Sequence, residues 1–161
     1  WHAGSLRVAE EHMASATVRS FVGGLKESQR VAANAPIIVT ATPAGQMHEI
    51  GALLAATSAA VEGWYSVYLG PDLPADEIAH AVRREQACAV ALSITFPADD
   101  PRLGHELARL RAGLGDEVSL IVGGLSVEGY VPELESLLAR IVEDVKTFVG
   151  ILRQLRDRRS T

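Results

Sequence analysis

The sequence predicts an α/β domain: a five-stranded parallel sheet of flavodoxin-like, Rossmann-like order, preceded by a short helical segment. Three observations carry this reading. Five short apolar runs recur between residues 37 and 142, each is followed by a segment of helical periodicity, and polar or glycine residues gather at the ends of three runs. Regular alternation of strand and helix implies a doubly wound, mostly parallel sheet.

The elements follow in order. Residues 8–25 have helical spacing, with Val18, Val22 and Leu25 on one stripe and Phe21 beside it. Stepping that stripe backwards reaches Ser15, then Glu11 and His12, then Val8. Two ionisable residues thus fall on the face expected to be buried, where an unpartnered charge is costly. They either face a ligand or mark where the helix emerges into solvent. Gly23-Gly24 weakens this helix, and Asn34-Ala35-Pro36 punctuates the junction that follows. Residues 1–31 therefore read as a separate helical segment and 32–161 as the α/β domain.

Candidate strands are 37–41, 65–69, 89–93, 119–122 and a short 140–142. Between the first two, Ile50, Leu53, Leu54, Thr57 and Val61 share one helical face. A helix over 74–84 carries Asp76 and Glu77 in its first turn. Another over 101–114 has Asp100 placed to cap it and Pro101 at its first position. Helical segments over 131–138 and 145–155 complete the set.

At 161 residues and 48% apolar, the chain has enough material for one well-buried core. A net charge of −5 and a low content of basic clusters argue against a nucleic-acid surface on this chain. The single cysteine, Cys88, excludes an internal disulfide and a thiolate metal cluster and fits a reducing compartment. No segment has the length and apolarity of a membrane span, and no signal peptide is visible, so a cytoplasmic location is expected. The chain begins at Trp1 without methionine, so whether it is a fragment stays open at this point.

Candidate chemistry lies at the strand ends, where an open parallel sheet binds its ligands. Gln46-Met47-His48-Glu49-Ile50-Gly51 follows the first strand, Ser93-Ile94-Thr95 the third, and Gly123-Gly124 the fourth. His48 is a candidate ligand to something bound there; a lone loop histidine is otherwise ordinary surface material. Paired glycines allow a bulky group to approach the backbone, and the two hydroxyls offer hydrogen bonds.

This constellation resembles the cobalamin-binding domain of methionine synthases, carbon-skeleton mutases, corrinoid proteins and certain light-sensing regulators. That family's pattern is an acid, any residue, His, two residues and Gly, then Ser-x-Leu or Ser-x-Thr, then Gly-Gly. It covers roughly residues 36–160. The resemblance implies that His48 is the lower axial ligand of cobalt, replacing the cofactor's dimethylbenzimidazole. The displaced nucleotide tail would enter beside Gly51, lined by Ser93, Thr95, Gly123 and Gly124. Neutral imidazole suits a first-row transition metal and needs an acceptor to orient its second nitrogen. Gln46 stands where the family usually has Asp or Glu, so that acceptor would be a neutral amide.

The amino-terminal segment narrows the resemblance. Trp1, nine residues, then Glu11-His12 is similar to the Trp-x9-Glu-His signature of the CarH-type adenosylcobalamin photoreceptors, regulators of the MerR family. The resemblance implies a helical cap over the upper corrin face, with Trp1 against the adenosyl group and Glu11 and His12 lining its pocket. His2 would take the upper cobalt position after light breaks the cobalt–carbon bond. Without the Glu11-His12 spacing, Trp1 would read as a core aromatic and His2 as a terminal residue. It further implies adenosylcobalamin as cofactor, homo-oligomeric assembly, a truncated cap, and DNA contacts only through a domain absent from this chain. Two other classes stay open: a corrinoid protein carrying methyl groups for a methyltransferase, and a ligand-free flavodoxin-like interaction domain.

Overall fold

The structure, a computed structural model, describes residues 7–27 and 31–159, without the side chains of residues 8, 11, 12, 26 and 27. Its elements are α1 (Val8–Glu27), β1 (Ile37–Pro43), α2 (Ile50–Val61), β2 (Tyr65–Leu73), α3 (Ala75–Arg84), β3 (Ala89–Ser93), α4 (Leu103–Gly113) and β4 (Ser119–Gly123). A 3-10 turn at Val127–Tyr130 leads into α5 (Val131–Ser136), followed by β5 (Arg140–Val142) and α6 (Val145–Arg159). The strands form one sheet in the order β2-β1-β3-β4-β5, with every neighbouring pair parallel. This is the expected doubly wound order.

Alternation along each strand divides the core into two layers, because successive side chains leave opposite faces of the sheet. Val39, Ala41, Val90, Leu92, Leu120 and Val122 pack under α3, α4 and α5, whose Ile78, Val82, Leu107, Leu110 and Leu134 face them. Ile38, Ala89, Ala91 and Ile121 point the other way, toward Trp64 and toward Phe148 and Leu152 of α6. Apolar burial on both faces explains why the strands read as continuous apolar runs.

Several expectations change in the folded chain. β1 and β2 run on to Pro43 and Leu73, because register shifts after Thr40 and Ala41 let their pairing continue irregularly. The buried face of α2 consists of Ala52, Leu53, Ala56, Thr57, Ala59 and Ala60, while Leu54 and Val61 are exposed. The cause is position: α2 lies against the sheet, α1 and α6 at once, and small side chains let all three approach. α4 begins at Leu103, so Pro101 precedes it; Asp100 accepts the Arg102 N–H (2.9 Å) in the turn ahead of the helix.

α1 departs most. The glycine pair does not end it, yet Val22 alone is buried among its described side chains, and Val18, Phe21 and Leu25 stay exposed. Among the described elements it packs chiefly on α2, where the Thr57 hydroxyl donates to the Val22 carbonyl (3.2 Å) as well as to that of Leu53 (3.0 Å). The face turned toward the body is therefore Ser15, Arg19 and Val22 rather than Val18, Val22 and Leu25. No helix among the described residues is long and apolar enough to cross a membrane.

One turn carries avoidable strain. Leu138 closes α5 with φ of 54°, its N–H bonded to the Glu135 carbonyl, and its side chain is 86% exposed. Helices usually place glycine at this left-handed position, where a Cβ costs about 1–2 kcal/mol. After the larger unfolded-state entropy of glycine is deducted, Leu138→Gly should stabilise the protein by about 0.5–1 kcal/mol, read from the midpoint shift in urea unfolding.

Candidate cofactor-binding site

β1 and β3 lie side by side, but the chain leaving β1 turns to α2 on one face and the chain leaving β3 turns to α4 on the other. Divergence at such a switch point opens a crevice at the carboxyl edge of the sheet. Here it is a cleft of about 850 Å³. His48 and Gly51 line it from the first connection, Ser93 and Thr95 from the third strand's end, and Gly124 from the fourth's. Ser15 and Arg19 of α1 contribute from the opposite side, as do Glu128 and Glu143 from the connections after β4 and β5. Five of the residues read from sequence thus meet at one place.

His48 is exposed, its ring edge-on to Phe96 with centroids 6.0 Å apart. The residues before it are firmly held. Gly45 donates its N–H to Asp72 Oδ1 (2.8 Å), at a φ of +87° that favours glycine. Gln46 is 1% exposed; its Oε1 accepts the N–H groups of Thr95 (2.7 Å) and Phe96 (3.0 Å), and its Nε2 donates to the Pro97 carbonyl (3.3 Å). This corrects the expected use of Gln46. Its carboxamide is consumed in joining the loop after β1 to the loop after β3, and it makes no hydrogen bond to His48. A neutral amide fits there because the loop presents both N–H donors and a carbonyl acceptor.

The glycines also have a different reason than ligand approach alone. A Cβ at Gly123 would lie 2.6 Å from Val142 Cγ2, and one at Gly124, which has φ of +115°, would overlap the Ile94 carbonyl. Both spaces belong to neighbouring backbone, so the pair lets the ends of β3, β4 and β5 close together. A Cβ at Gly51 would run into the Ser93 hydroxyl. Gly51, Ser93 and Gly124 are also shared walls between the cleft and a second, smaller chamber of about 150 Å³. Leu54, Ala55, Ile121, Val142, Val145 and Phe148 make its walls predominantly apolar.

Sequence reading missed Glu49, Arg19 and Tyr68. The Glu49 carboxylate, 13% exposed, receives Arg19 Nε of α1 on Oε1 (2.5 Å) and the Tyr68 hydroxyl of β2 on Oε2. Burial, and then the adjacent Glu49 carboxylate, push the Tyr68 phenol up. One further helical step from Ser15 would have reached Arg19, but nothing local pairs it with Glu49. Trp1 and His2 lie outside the described residues. Glu11 and His12 lie on α1, in the same helical row as Ser15, with side chains outside the described set.

Among the described residues no group of three or more His, Cys, Asp or Glu is placed to hold a metal ion. A single accessible imidazole instead suits one axial position on a metal whose other positions are filled by a macrocycle. The adjoining chamber fits an apolar appendage of such a ligand. The fold and cleft thus define a domain that binds a large organic ligand at the carboxyl edge of its sheet.

Comparison with known proteins agrees. Residues 36–147 match the B12 binding domain, and the chain belongs to that family. It is 31% identical over 153 residues to the HTH-type transcriptional repressor CarA of Myxococcus xanthus, covering 94% of this chain and 52% of that protein. With the HTH-type transcriptional repressor CarH of the same organism it shares 27% over 143 residues, 89% of this chain and 48% of that one. The chain thus spans about half the length of these curated relatives. The monomethylamine corrinoid protein of Methanosarcina barkeri has the same fold, with a TM-score of 0.65 at 18% identity over 94% of this chain and 73% of its own.

Two outcomes follow from this geometry. Gly51→Ala should weaken cobalamin binding about tenfold or more, since the methyl runs into the Ser93 hydroxyl at the wall that cleft and chamber share, and adding Ser93→Ala should restore part of the loss; titration alongside thermal melting separates binding from folding. Gln46→Leu should destabilise the cofactor-free protein by about 2–4 kcal/mol, because it strands two N–H groups and a carbonyl, with urea unfolding as the measurement.

Proposed function

We propose that this chain is the adenosylcobalamin-binding, light-sensing domain of a transcriptional regulator, with residues 1–31 as a partial cap and 32–161 as the cofactor-binding domain. The observation that carries the reading is the exposed His48 lining a large cleft that shares Gly51 and Ser93 as walls with an apolar chamber. When bound, adenosylcobalamin supplies a visible chromophore and a cobalt–carbon bond that light breaks.

The chain's own residues have these roles. His48 would hold the cobalt through a ring nitrogen, and the chamber would take the nucleotide tail. α1 would cover the other side of the cofactor, with Glu11, His12 and Trp1 serving the adenosyl group. His2 would offer a second imidazole to the metal once that group has left. Because α1 is held by few buried side chains, a change in what fills the space beneath it shifts its position at small cost. Such a shift alters contacts between copies of the protein in a homo-oligomer. DNA recognition belongs to a part of the parent protein outside this chain, as the helix-turn-helix naming of the half-covered relatives suggests. No residue is assigned a catalytic role.

Absorbance spectra with adenosylcobalamin, before and after green light, test the proposal. Wild type should bind in the dark and form a new, irreversible spectrum on illumination. Preference for methylcobalamin with no light response would instead favour a methyl carrier. His48→Ala should leave water or the cofactor's own base on the lower face and weaken binding by at least about tenfold, since loss of a mere outer partner of a metal ligand already costs 10–100-fold.

A further inference from the structure

Residues 44–49 connect β1 to α2, and the two ends of this connection are held in different ways. The leading end is fastened to the sheet edge: Gly45 by Asp72, and Gln46 by the backbone of Thr95, Phe96 and Pro97 and by the Asp72 N–H on its own carbonyl (3.3 Å). The trailing end runs into α2, where the Glu49 carbonyl accepts the Leu53 N–H (3.0 Å), and beyond that helix it is tied by the Glu49 side chain, with one carboxylate oxygen for α1 and the other for β2. Met47 and His48 hang between these anchors, both exposed. The His48 ring has an edge contact with Phe96 and, among the described residues, no hydrogen bond. Its placement therefore depends on how stiffly the backbone is held on either side.

Glu49 occupies the N-cap position of α2, where a carboxylate ordinarily accepts an N–H from the first turn. It makes no such bond. Both oxygens are committed to Arg19 and Tyr68 instead, so the side chain serves a tie between three elements rather than its own helix. One partner is fixed within the sheet. The other, Arg19, belongs to a twenty-residue helix with one buried side chain, Val22, among its described side chains, and lines the same cleft as His48.

We propose that Glu49 is a positioning residue for His48, and that its ion pair with Arg19 couples the seating of α1 above the cleft to the placement of the imidazole below it. This rests on the cobalamin reading. A ligand that seats α1 closes the Arg19–Glu49 pair and stiffens the loop, and a displaced α1 loosens its trailing anchor. Coupling of this kind is reciprocal, so lower-face coordination also favours the seated helix.

Three measurements test it. In the cofactor-free protein, amide hydrogen exchange at residues 45–50 should quicken in Arg19→Met and Glu49→Gln and return toward wild type in Arg19→Lys. In dark titrations with adenosylcobalamin, Arg19→Met should lower affinity about fivefold or more, the lower end of usual coupling strengths, and reduce the histidine-bound fraction in the spectrum. Combined with His48→Ala, Arg19→Met should have little further effect. Equal losses in both backgrounds, or unchanged loop exchange, would overturn the coupling, the former by showing that Arg19 touches the ligand directly. A wild type that binds no cobalamin overturns the cobalamin reading itself, and exchange in the cofactor-free protein then decides alone whether Arg19 and Glu49 hold the loop.

Discussion

Where β1 and β3 part company, the buried carboxamide of Gln46 spans the gap between their connections, and the shape of the cleft depends on that bridge. Two N–H groups and a carbonyl from residues 95–97 find their protein partner in it, through partly buried hydrogen bonds. The amide satisfies them and sets the distance between the loop carrying His48 and the loop carrying Thr95. Its own backbone is held in turn, the carbonyl accepting from the Thr42 hydroxyl and the Asp72 N–H. The site thus has a rigid seam at its centre and looser parts on either side.

Close backbone approach is the second constraint. Gly123 and Gly124 give up side chains so that Val142 and the Ile94 carbonyl can occupy that volume, and Gly51 does so for the Ser93 hydroxyl. The alanines of α2 act in the same sense, letting the helix sit near the sheet. Small residues on the strand ends and on α2 leave the narrow apolar chamber beside the main cleft. A binding volume of this form requires no metal cluster and no concentrated charge, only one accessible imidazole and a cavity of suitable lining.

The third feature is asymmetry of attachment. The sheet and its flanking helices are packed through many fully buried side chains, whereas α1 buries only Val22 among its described side chains, its attachments including the Thr57 hydroxyl and the pair formed by Arg19 with Glu49. Elements attached in this way open at lower free energy than the core they rest on. A cover with few anchors over a stiff floor can respond to what lies between them without disturbing the fold.

Local pattern by itself determined the α/β class, the strand order and the positions of His48, Gly51, Ser93, Thr95 and the glycine pair, because apolar periodicity and turn chemistry are properties of neighbouring residues. The B12-binding family was legible for the same reason, its pattern being a set of short spacings at strand ends. Tertiary structure decided which face of α1 and of α2 is buried, since that follows from the elements packed against each helix and not from its own stripe. It also decided that Gln46 serves the loop after β3 rather than His48, and that Glu49 meets Arg19 and Tyr68. Those contacts join residues far apart in the chain, and side-chain type alone does not rank the partners that folding will bring within reach.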